Sequence, residues 1–76
     1  MKTFEEWLEK TNYEFTIRRN NQHSAYHIKG ENDRCIVHLT KGSHGGYVMD
    51  SSCNDIKCKS IKDVIDLVDF LAGGKL

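Results

Sequence analysis

The chain has 76 residues, with eleven Lys/Arg against eleven Asp/Glu, four His, three Cys and no Pro. That length makes one domain, expected over 1–76, and excludes two. The balanced charge excludes a general polycation drawn to any nucleic acid or anionic membrane.

A domain of this size buries only about 60% of the surface its unfolded chain exposes. Its expected stability is on the order of 4–11 kcal/mol, which leaves little to support a strained catalytic site. The charge is unevenly spread. Residues 13–45 hold five Lys/Arg, three Asp/Glu and all four His. The opening residues lack an apolar run long enough for a signal peptide, and nowhere do 18 apolar residues follow one another. An odd number of cysteines without a secretory signal points to free thiols in a reducing compartment, so the expected location is cytoplasmic.

In chain order, residues 4–11 read as a short helix. Phe4, Trp7, Leu8 and Thr11 share one face, Glu5, Glu6 and Glu9 face water, and Thr3 with Glu6 fits a capping box. Asn12 is the expected stop. Residues 13–19 alternate, Tyr13, Phe15 and Ile17 against Glu14, Thr16 and Arg18, as a half-buried strand does. Asn20-Asn21-Gln22 reads as a turn. A second strand covers 23–29, with Tyr26 and Ile28 inward and His27 and Lys29 outward. After a turn at Gly30–Asp33, a third strand covers 34–40. Cys35, Val37 and Leu39 there alternate with Ile36 and His38, and both sets are partly apolar, so the buried face stays open. Gly42–Gly46 is a loop, with positive φ expected at Gly45 or Gly46. A fourth strand covers 47–50. Residues 51–59 read as a loop that includes a short edge strand near Ile56 and Cys58.

The last helix is the clearest element. Ser60 with Asp63 caps it, Ile61, Val64, Ile65, Val68, Leu71 and Ala72 form an apolar stripe, and Gly73 suits a left-handed ending. Short connections require antiparallel neighbours. The fold class is therefore α+β: an antiparallel meander of three to four strands, flanked by a short N-terminal helix and packed on a C-terminal helix, in the order α-β-β-β-β-α. In topology this resembles the double-stranded RNA-binding domain. That domain reads RNA partly through the basic start of its second helix. Here Lys57, Lys59 and Lys62 precede or open the helix, but Asp63, Asp66 and Asp69 follow. The resemblance implies no function by itself.

Cys35, His38, Cys53 and Cys58 are the residues that could ligate zinc, which takes four thiolate or imidazole ligands in a tetrahedron. Cys35 and His38 lie three apart, which on a strand sends them to opposite faces. No metal site and no cofactor is expected. A Cys/His nucleophile pair lacks a third orienting group in the pattern, so no catalytic residue is assigned and the protein is expected not to be an enzyme. Lys41-Gly42-Ser43-His44-Gly45-Gly46 has the composition of a phosphate loop, but a strand follows it where a helix is required.

Two surfaces remain. Phe70 lies opposite Ile61 at 100° per residue, next to Leu67 and among Asp63, Asp66 and Asp69, as an apolar anchor in a polar rim would. With His44 on its loop, these are the protein-contact candidates. Arg18, His27, Lys29 and His38, with Arg19, Arg34 and Lys41 at strand ends, are candidates for tracking phosphates. The function expected is a non-enzymatic protein-binding or regulatory module, of the kind bacteria and phages use as accessory proteins, for example as an inhibitor of a larger host partner. The alternatives are a nucleic-acid-binding domain using the sheet face and a zinc-stabilised domain. The expected partner is another protein, with a second copy of the chain or nucleic acid behind it, and no membrane.

Overall fold

The computed structural model of the chain describes residues 2–74. Helix α1 spans Lys2–Glu9. Five strands follow, β1 at Glu14–Arg19, β2 at His23–Lys29, β3 at Arg34–Thr40, β4 at Gly46–Met49 and β5 at Asp55–Cys58. Helix α2, Ile61–Gly73, closes the order. The strands form one antiparallel sheet in the sequence order β1-β2-β3-β4-β5, a plain meander. The α+β class and a helix at each end hold as read from the sequence, with α1 starting and ending two residues earlier than the expected 4–11. The stretch expected to hold a short edge strand supplies a full fifth strand, all four residues of which pair with β4.

Register fixes the two faces of the sheet. Phe15 pairs with Ile28, Ile28 with Cys35, Tyr26 with Val37, and Val37 with Val48. These side chains share one face, because residues opposite each other in a ladder point the same way. Both helices cover that face. Phe4 and Leu8 of α1, Val64, Val68 and Ala72 of α2, and Tyr26, Ile28, Cys35, Val37, Leu39 and Val48 of the sheet form one buried cluster. The open choice on β3 is thereby decided: Cys35, Val37 and Leu39 face inward.

Side-chain bonds tie each helix down. The Tyr26 hydroxyl donates to Glu5 (2.6 Å), and Arg19 pairs with the other oxygen of the same carboxylate (2.6 Å). Tyr13 donates to Asp69 of α2 (2.7 Å). The β2–β3 turn caps the C-terminal end of α2. Asn32 N–H donates to the Ala72 carbonyl (2.7 Å), and the Asn32 side-chain amide to the Leu71 carbonyl (3.2 Å). Those carbonyls have no partner within the helix, so the turn supplies one.

Three local expectations shift. Thr3 lies within α1, so it does not cap that helix. Ser60 does cap α2, accepting from Asp63 N–H (3.1 Å), but the left-handed residue after the helix is Gly74 (φ +69°), one later than expected. Gly73 is still helical and lies against Tyr13, whose hydroxyl occupies the place of a Cβ. In the β3–β4 loop the positive φ falls on Gly42 (+82°), in a turn closed by Ser43 N–H to Thr40 C=O (3.0 Å). Gly45 and Gly46 serve a different need, close backbone approach. A Cβ on Gly45 would meet the Cys58 carbonyl, and one on Gly46 the His38 carbonyl.

Candidate functional site

Helix α2 buries Val64, Val68 and Ala72, one residue per turn, and so aims the opposite side of the helix at solvent. Asp63, Asp66 and Phe70 follow that side, and Phe70 is 44% exposed. Trp7 of α1 shares a depression with the neighbouring Asp69, yet nearly half of Phe70 stays open to solvent. Phe4 is fully buried against Tyr26 (ring centroids 5.0 Å), and Trp7 packs on Phe4 and Tyr13. Leu67 is half-buried beside the core.

The acidic rim is smaller than the sequence implied. Asp69 turns away to accept the Tyr13 hydroxyl. Burial, then this bond, pushes the Tyr13 phenol up to about 12. Asp66 pairs with Lys62 one turn earlier (3.0 Å), while Asp63 is exposed and, among the described residues, joins no ion pair. His44 is exposed on the loop before β4, where Gly45 abuts Cys58–Ser60 at the start of α2. Phe70 lies about 15 Å further along the helix axis. His44 and Phe70 therefore mark opposite ends of α2.

The second surface is the outer face of the sheet, on which no described element packs. Arg18, Ala25, His38, Tyr47 and Lys57 lie in one row across all five strands. His27, Ile36 and Met49 lie in the next, and Lys29 pairs with Arg34 in a third. Five of the seven phosphate candidates thus share this face: Arg18, His27, Lys29, Arg34 and His38. Two do not. Arg19 follows the opposite parity and is drawn to Glu5 of α1. Lys41 lies past the end of β3, where it borders a depression of about 670 Å³ shared with Arg19 and the α1 glutamates. Tyr47 and Lys57 were not among the candidates. Tyr47 is 47% exposed, because burying Val48 forces its neighbours outward.

The possible zinc ligands do not converge. Cys35 and Cys58 are buried on the inner face, His38 is on the outer face, and Cys53 is exposed in the β4–β5 turn with φ +65°. Among the described residues no three His, Cys, Asp or Glu side chains group as metal ligands. Burial, aided by Asp33, pushes the Cys35 thiol up to about 11, and burial also raises Cys58, so both are protonated at neutral pH. The Lys41–Gly46 loop runs into β4, a strand. Among the described residues no helix is long and apolar enough to cross a membrane.

What these features define is a class of architecture: an open five-stranded antiparallel meander with two helices on one face. No protein family, curated protein or solved structure matches the chain.

Proposed function

We propose that the protein is a non-enzymatic protein-binding module that regulates or inhibits a larger partner, with the outer side of α2 as its contact surface. The observation that carries this reading is the exposure of Phe70, a large aromatic on the side of the helix turned away from the core. An aromatic that can be desolvated on binding, beside a polar rim, has the make-up of an interface anchor. Six of the eleven carboxylates lie on the two helices, Glu5, Glu6, Glu9, Asp63, Asp66 and Asp69. The matching partner surface is an apolar socket edged with basic side chains.

The test is a comparison of the wild type with Phe70→Ser in capture from a host extract, followed by calorimetry on the purified partner. An anchor of this kind carries about 2 kcal/mol or more, so the variant should bind about 30-fold more weakly. Its unfolding midpoint should stay close to that of the wild type. Equal capture by both proteins would refute the reading. A wild-type dimer converted to a monomer by Phe70→Ser would make a second copy of the chain the occupant.

A further inference from the structure

From the arrangement of charge on the sheet, we infer that its outer face binds single-stranded nucleic acid, at a site separate from the α2 surface. Three observations meet there. The first is exposure: the face is uncovered along the full width of five strands, about 19 Å at 4.8 Å per strand spacing. The second is charge. Arg18 and Lys57 close the two ends of one row, and Lys29 and Arg34 are paired in another. Among the described residues the ion pairs within 4 Å join Arg19 to Glu5 and Lys62 to Asp66, and neither uses a cation of this face. The outer-face cations are thus available to phosphates. Two carboxylates, Glu14 opposite Lys29 and Asp55 two residues before Lys57, share the face, so its four Lys/Arg side chains outnumber them and leave the face basic.

The third observation is Tyr47, half exposed between His38 and Lys57 in its row. Beside it, Ile36 and Met49 give an apolar floor. A base can stack on an aromatic ring while the backbone runs over flanking cations, the arrangement by which sheet surfaces take unpaired strands. A duplex hides its bases and is too stiff to lay them on a sheet, so the single strand is the ligand that fits. One stacking ring and no row of bidentate donors imply little sequence preference.

The test uses fluorescence anisotropy with labelled oligothymidylate and oligouridylate of about 20 nucleotides, and a duplex of equal length, beginning near 50 mM salt. Binding of either single strand is expected, stronger than that of the duplex, with the logarithm of affinity falling against the logarithm of salt at a slope of roughly −2 to −3 for up to four phosphate contacts. The tighter of the two probes identifies DNA or RNA as the natural strand. Tyr47→Ala should weaken binding about tenfold. The pair Arg18→Ala/Lys57→Ala should flatten the slope by about 1.4. Phe70→Ser should leave nucleic-acid binding unchanged, which separates this site from the α2 surface. Absence of binding at low salt, a duplex bound as tightly as the single strand, or an affinity that neither outer-face variant moves would each overturn the inference.

Discussion

The two faces of the sheet are built from the same strands and share nothing else. On β3, Val37 and Leu39 are fully buried, while Ile36 and His38, one residue away, look outward. On β1, Arg19 is held by Glu5 under the helical layer, while Arg18 is on the open face and, among the described residues, in no ion pair. The inner face spends its polar groups on attachment: Tyr26 and Arg19 hold α1, and Tyr13 holds α2. On the outer face, among the described residues, no ion pair holds the cations and Tyr47 stands half exposed. A side chain that packing does not need, and that no other side chain restrains, is available to a ligand. The difference between the faces therefore separates what holds the fold from what it offers.

The sharpest way to break this comparison is on β3 itself. Leu39→Ala removes a fully buried side chain and should cost about 2–5 kcal/mol, a large share of the total for a chain of this size. His38→Ala, next to it, should stay within about 0.5 kcal/mol. Urea denaturation of the two variants measures both. A His38→Ala variant as unstable as Leu39→Ala would mean that the outer face is part of the core.

This division was legible in the sequence where apolar and polar residues alternate cleanly. Residues 13–19 and 23–29 give their inward sets directly, and the stripe from Ile61 to Ala72 gives α2. Phe70 could be picked out because it falls off that stripe. The third strand resisted because Ile36 is apolar on the wrong face, and only pairing with Tyr26 and Val48 settles which set is buried. The β5 strand has four residues, too few for a period to register, and it takes its parity from β4. Lys57 and Tyr47 were missed as outer-face residues for the same reason. Arg19 was misplaced because it was taken as a strand-end cation, whereas its parity, opposite to that of Arg18, puts it on the helical side, where Glu5 of α1 claims it. The glycines were legible as necessities but not as mechanisms. Sequence does not distinguish a glycine needed for its φ from one needed because another backbone lies against it.

Gly42 and Gly45 turn that last point into a prediction of intermediate size. Gly45 sits where β4 begins and the chain from β5 enters α2, and its Cβ position is taken by the Cys58 carbonyl. Gly45→Ala must displace backbone, at a cost of about 1–3 kcal/mol. Gly42 has open space around it but a φ of +82°. Gly42→Ala should cost about 1–2 kcal/mol, from backbone strain alone. Amide exchange distinguishes the mechanisms. Gly45→Ala should loosen β5 and the first turn of α2, and Gly42→Ala only the loop. Loosening of β5 by Gly42→Ala would show that the loop conformation, not the close approach, holds the edge of the sheet.

The smallest effect concerns the neighbours Arg18 and Arg19, and it tests whether attachment really is confined to one face. Burial by itself would raise the Glu5 carboxyl, but hydrogen bonds from Arg19 and Tyr26 outweigh it and hold the group below its ordinary value of 4.5. A carboxyl whose folded value is depressed adds stability above its unfolded value and loses it as pH falls through the folded one. The attachment of α1 should therefore weaken progressively below about pH 4.5, seen as a falling thermal midpoint. Glu5→Gln removes the titrating group and should flatten that part of the acid limb. Arg19→Ala should shrink it, because the carboxylate keeps only the Tyr26 hydroxyl. Arg18→Ala, one residue away but on the open face, should leave the acid limb as in the wild type. An acid limb altered equally by both arginine variants would mean that Glu5 responds to the general charge of the strand and not to the bond that holds α1.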